Sequence, residues 1–237
     1  MKSGWPYRIE FWGKRKQFPL HWAALKGKTQ MVAKLATNGA DVNARYLYGE
    51  TPLHFAARGG SIETAAFLIG RGTELNARDD SGRIPLHSAQ DWRQGAMAAF
   101  LIEHGADIHA RASNGWTPLH YAIGDTKTVT LLIDRGADIN APDNDGMTSL
   151  HWAISCDGPE TLAVLLERGA DIHARDREGW TALHWTAEQY RLEMAYMLLD
   201  RGANVNAQAE DGLTPLQVAL RYDATDIIDL FKERGGE

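Results

Sequence analysis

One 33-residue period governs this sequence. A tetrapeptide ending in histidine recurs as FPLH (His21), TPLH (His54), IPLH (His87), TPLH (His120), TSLH (His151) and TALH (His184), then becomes TPLQ at Gln217. The steps are 33, 33, 33, 31, 33 and 33 residues. A glycine runs in phase with it at Gly39, Gly72, Gly105, Gly136, Gly169, Gly202 and Gly235, repeating the same steps and the same single defect. Two independent markers that share a period and its one interruption define a chain of like units, each burying its apolar face only against its neighbours.

Local chemistry predicts what one unit looks like. Thr51, Thr117, Thr148, Thr181 and Thr214 stand where a hydroxyl can cap the first free amides of a helix, and Pro52, Pro118 and Pro215 take the first helical position, where no N–H is needed. Leu183, Thr186 and Ala187 continue that helix at i, i+3, i+4. A second helix follows a short turn, with Leu192, Ala195, Tyr196 and Leu199 at helical spacing. The recurrent glycine ends it, because the residue after a helix commonly adopts the left-handed conformation. A short extended piece and polar turn come next, as in ADINAPDNDG at 137–146.

The period, TPLHFAA at Thr51 to Ala57 and GADIN at Gly136 to Asn140 together resemble ankyrin repeats, seven of them, over about residues 13–237. The fold class is then an all-α repeat solenoid of stacked helix-turn-helix units with β-hairpin-like loops. The units are expected at about 13–45, 46–78, 79–111, 112–142, 143–175, 176–208 and 209–237. An aromatic and basic extension or cap at 1–17 precedes the repeat domain, 18–237. The resemblance implies a groove lined by inner helices and hairpins, and a structural role for the repeat histidine at the helix start. Two departures from the pattern stand out: the fourth repeat lacks two residues between its helices, and Ile84 replaces the capping threonine of the third, a loss of about 1 kcal/mol.

The same residues argue against chemistry. Six of the nine histidines are the repeat histidine. Equivalent positions on packed helices lie about 8–10 Å apart, whereas zinc ligands converge to about 2 Å from one ion. His109 and His173 stand in a loop position that carries Asn43, Asn76, Asn140 and Asn206 elsewhere, and His104 sits near a helix end. No nucleophile signature surrounds Cys156, and no phosphate-binding glycine motif or CxxC pair is present. The chain is read as a non-enzyme without cofactor or metal.

Cys156 is the sole cysteine, so no internal disulfide can form and a reducing, cytoplasmic setting is expected, or the nucleus in a eukaryote; a secreted effector is a further setting compatible with the sequence. No apolar run reaches the length of a membrane span or a signal-peptide core. The net charge of −6 hides an asymmetry. Lys2, Arg8, Lys14, Arg15, Lys16, Lys26, Lys28 and Lys34 face only Glu10, giving +7 over the first 40 residues and −13 over the rest.

The resemblance implies a monomeric protein-interaction module with a protein partner. The alternative is nucleic-acid or anionic-membrane binding through the basic end with Trp5, Tyr7 and Trp12, against which the acidic body argues. The expected contact stripe is the residue after each hairpin glycine: Glu50, Arg83, Trp116, Met147, Trp180 and Leu213. Tyr48 lies beside it, and Trp92, Cys156, Tyr190 and Tyr222 stand at the ends of inner helices. Exposed Trp and Tyr favour a binding role, while packing of Trp116 and Trp180 onto neighbouring hairpins would make them structural.

Overall fold

The computed structural model describes residues 18–156 and 158–237. The expected extension at 1–17, with Trp5, Tyr7, Trp12 and Lys14 to Lys16, lies outside the described residues. The chain divides into two compact blocks, Met1–Ala110 and Arg111–Glu237. The described part of the N-terminal block contains α1 (Pro19–Leu25), α2 (Thr29–Thr37), α3 (Pro52–Gly59), α4 (Ile62–Gly70), α5 (Pro85–Asp91) and α6 (Gly95–Glu103). The C-terminal block contains α7 (Pro118–Tyr121), α8 (Thr126–Asp134), α9 (Ser149–Ser155), α10 (Pro159–Glu167), α11 (Ala182–Glu188), α12 (Leu192–Leu199), α13 (Pro215–Arg221) and α14 (Thr225–Glu233). Within each block odd-numbered helices pack on odd and even on even, so the repeats of a block are helix pairs stacked in succession. Among the described residues there is no strand, and no helix is long and apolar enough to cross a membrane.

Each odd helix from the second repeat onward begins on a fixed cluster, though not the one the threonines imply. In repeats two, four, five and six the threonine amide donates to Nδ1 of the histidine three residues on, at 3.0–3.1 Å, and the threonine hydroxyl reaches the same nitrogen at 2.9–3.1 Å. The hydroxyl therefore serves the ring rather than capping an amide; only Thr214 accepts an amide proton, from Gln217. Because Nδ1 receives a backbone N–H, the proton must sit on Nε2. That proton is donated to a carbonyl of the next hairpin: His21 to Ala44 O, His54 to Arg83 O, His120 to Met147 O and His184 to Leu213 O. At Ile84 the amide bond to His87 survives at 3.0 Å while the hydroxyl is lost. Ile84 is itself buried, and that apolar burial offsets the missing bond.

The loops are turns whose ends are joined by a main-chain bond. Asp143 N–H donates to Met147 O and Asp176 N–H to Trp180 O, with Gly146 and Gly179 left-handed inside the turn. A Cβ at Gly146 would come within 2.9 Å of the Arg177 nitrogen, so this glycine is needed twice over, for its φ and for its neighbour. Asparagines at the predicted loop position fasten successive hairpins: Asn43 Oδ1 accepts from Glu74 N–H and Asn140 Oδ1 from Asp171 N–H. The two-residue deletion of the fourth repeat falls on α7, which is 4 residues long, whereas α3 has 8. In α12 the buried face is Met194, Ala195 and Leu198; Tyr196 is exposed, so the spacing Leu192, Ala195, Tyr196, Leu199 misplaces the stripe.

Candidate protein-binding surface

The predicted contact residues of the N-terminal block separate into two kinds. Glu50 is buried and ion-paired with Arg58. Arg83 forks onto Asp79, with Nε and an Nη each 2.8 Å from Oδ2, and lies 4.0 Å from Glu50 and 3.9 Å from Asp91. Burial raises the pKa of Glu50, while Arg58 and Arg83 pull it down. Both residues thus belong to an internal network. Tyr48 and Trp92, by contrast, are exposed, and the Arg58 guanidinium stands 5.6 Å from the centre of the Trp92 ring.

In the C-terminal block the expectation of an exposed ladder fails at two of its four members. Met147 and Trp180 are only 6% and 8% exposed. Met147 donates its amide to Asp143 Oδ1, and Trp180 stacks on His184 at 5.8 Å and meets Trp185 edge-on at 5.7 Å. Trp116 and Leu213 are half-buried. Trp116 Nε1 donates to Asp143 Oδ2, and its ring packs edge-on against Trp152 at 4.6 Å. Trp180 thus packs within its own repeat, whereas Trp116 reaches across to Asp143 and Trp152 of the next.

A second row presents more ring surface. The position after the repeat histidine carries Trp22, Phe55, Tyr121, Trp152 and Trp185, with Ser88 in the third repeat. Phe55 is buried, but Tyr121, Trp152 and Trp185 of the C-terminal block are each part-exposed. Trp152 Nε1 donates to Asp143 Oδ2 and Trp185 Nε1 to Asp176 Oδ2, both at 2.9 Å. The contact stripe drawn from the sequence omits this row, although its period is visible there.

Beyond it lie the ends of the odd helices. Cys156, the residue after α9, is exposed and Tyr222 half-buried. Tyr190 does not share their register; it stands one residue later, where Gly27, Gly60 and Gly124 are left-handed, and has φ 58° itself, as Arg93 and Asp223 have φ 54° at the same place. Its side chain is 59% exposed, and its hydroxyl donates to Tyr222 O. The Tyr222 hydroxyl donates to Glu188 Oε1 at 3.0 Å, and that carboxylate raises the phenol's pKa. Among the described residues no His, Cys, Asp and Glu side chains group as metal ligands.

The sequence matches the ankyrin repeats family in three copies, over residues 20–112, 110–176 and 170–237, so the chain belongs to that family. It is similar to the human ASB11 ankyrin repeat domain, with TM-score 0.81 and 26% identity over 92% of this chain and 98% of that one. It is also similar to the ankyrin repeat domain of Bcl-3, described as a unique member of the IkappaB protein family. There the TM-score is 0.77 and the identity 28%, over 90% of this chain and 97% of the other. No curated protein sequence matches it. Ankyrin repeat domains are generally protein–protein interaction modules.

Proposed function

We propose that this chain is a non-catalytic module that grips a protein partner through the C-terminal block, using the ring row Tyr121, Trp152 and Trp185 and the helix-end tyrosines Tyr190 and Tyr222. Tyr48 and Trp92 are the corresponding contacts of the N-terminal block, and Trp116 and Leu213 flank the row. The observation that carries this reading is Tyr190. A large ring is held mostly in solvent on a left-handed backbone that costs a non-glycine residue about 1 kcal/mol or more. Glycine is the residue this backbone favours; of the three that replace it, Arg93, Tyr190 and Asp223, only the tyrosine presents a ring, and exposed tyrosine is a favoured anchor of interfaces.

The test separates binding from stability. Tyr190→Gly is expected to melt at or above the temperature of the parent chain. Proteins captured from extracts of the source cells, compared by quantitative mass spectrometry, should include a set depleted at least tenfold on Tyr190→Gly combined with Tyr222→Ala. An identical captured set would overturn the assignment of this surface.

A further inference from the structure

We infer that the aromatic row of the C-terminal block recognises cationic side chains, and that its ligand is an extended protein segment carrying lysine or arginine at every third residue. This rests on the protein-binding reading above and names the chemistry of the partner.

The first ground is spacing. Tyr121, Trp152 and Trp185 stand on, and one helical position past the histidine of, α7, α9 and α11, and these helices pack successively on one another. Packed helices lie about 8–10 Å apart. A polyproline II segment has 3 residues per turn and rises about 3.1 Å per residue, so residues i, i+3 and i+6 share one face about 9 Å apart. A β-strand, which turns alternate side chains to opposite faces, would present only every second residue and fits the row less well.

The second ground is electrostatic. The indole N–H groups of Trp116 and Trp152 both point at Asp143 Oδ2, and that of Trp185 at Asp176 Oδ2. A carboxylate on the N–H edge pushes electron density toward the ring face, strengthening the negative face that attracts cations. In the N-terminal block the equivalent carboxylate, Asp79, is neutralised by Arg83. Among the described residues Asp143 and Asp176 have no ion-pair partner, and no lysine or arginine lies over Trp116, Trp152 or Trp185. These three indole rings are electron-rich, and none has a lysine or arginine over it.

The third ground is long-range. Residues 111–237 carry 21 acidic and 11 basic side chains, a net −10, against 10 acidic and 14 basic, a net +4, in residues 1–110. A field of that sign draws a basic segment toward the row and repels a nucleic-acid strand.

The experiment uses the full chain and fluorescein-labelled 12-residue peptides in fluorescence anisotropy. One peptide repeats Lys-Pro-Ala four times, a second has the same composition with its lysines in one block, and a third has glutamate for lysine; a poly-dT oligonucleotide is the nucleic-acid probe. The every-third peptide should bind at least tenfold more tightly than the blocked one, with no binding of the glutamate peptide or of poly-dT. Trp185→Phe, which keeps a ring but unlinks it from Asp176, should weaken that binding several-fold while circular dichroism remains unchanged. Tyr121→Leu should weaken it further. Equal affinity for the two lysine peptides, or tighter binding of poly-dT or of the glutamate peptide, would overturn the inference. If no peptide binds while the tyrosine variants still lose captured proteins, the cationic ligand is wrong and the protein-binding surface stands.

Discussion

The two blocks solve one problem in two ways. Each has a hairpin aspartate whose Oδ1 accepts amides of its own turn, leaving Oδ2 to be answered from outside. In the N-terminal block Asp79 receives the Arg83 guanidinium, and Glu50, Arg58 and Asp91 crowd around the pair. In the C-terminal block Asp143 and Asp176 receive indole N–H groups. A guanidinium cancels the charge, whereas an indole satisfies the hydrogen bond and leaves the charge in place. The same socket thus produces a closed ion-pair network in one block and an aromatic surface with unpaired carboxylates in the other.

The largest expected effect ignores that difference, because both blocks contain the repeat histidines. Burial holds His54 and His87 down to about 4, and lowers His21, His120, His151 and His184 as well. The folded rings stay neutral where unfolded ones, at about 6.5, would take a proton. Stability is therefore fully present above about pH 6.5 and falls as the pH drops toward 4, on the order of 3 kcal/mol for each of His54 and His87. Glu50 and Asp91, whose pKa values are raised by burial, oppose this loss as they gain protons on acidification. Urea midpoints between pH 7.5 and 4.5 measure the slope. His54→Gln with His87→Gln should flatten it, since Gln217 already performs the helix-start bond, accepting the Thr214 amide at 2.9 Å.

A smaller effect sharpens the contrast. Arg83→Leu strands the Asp79 carboxylate, whose side chain has no exposure, and should cost about 3 kcal/mol. Trp185→Phe leaves Asp176 half-exposed, where water replaces the indole, and should cost about 1 kcal/mol. Equal losses in chemical denaturation would show that the two sockets are energetically alike. The smallest effect is local: with α7 reduced to 4 residues, amides over 122–130 should exchange about tenfold faster than those over 56–66, where α3 has 8. Equal protection would show the deletion to be fully compensated.

The helix pairs and their boundaries were legible because period, proline and glycine act through the local backbone. So was the shortened fourth repeat, since a deletion shifts both markers together. The contact surface was less so. Whether Trp180 faces solvent depends on how its hairpin folds back onto His184, a tertiary fact that composition does not encode. Tyr190 reads as an inner-helix end beside Tyr222, yet it stands 32 residues before it rather than 33, a countable offset whose meaning the left-handed φ supplies. The Tyr121, Trp152 and Trp185 row was written beside the histidines throughout, but an aromatic next to a core residue resembles core until its exposure is known. The threonine hydroxyl was misassigned because the ring three residues on competes for it.

The acceptor of His21, His54, His120 and His184 is in every case a main-chain carbonyl, supplied by Ala44, Arg83, Met147 and Leu213. Every residue type has that atom, so the join asks nothing of the next repeat's side chains beyond a turn of the right form. It also has a sense, donor always toward the C-terminus. As far as this bond goes, one repeat can replace another without refitting a partner side chain, although contacts such as Trp116 with Asp143 and Tyr222 with Glu188 still tie particular neighbours together. Sequence can then diverge on the exposed rings while the fastening stays constant.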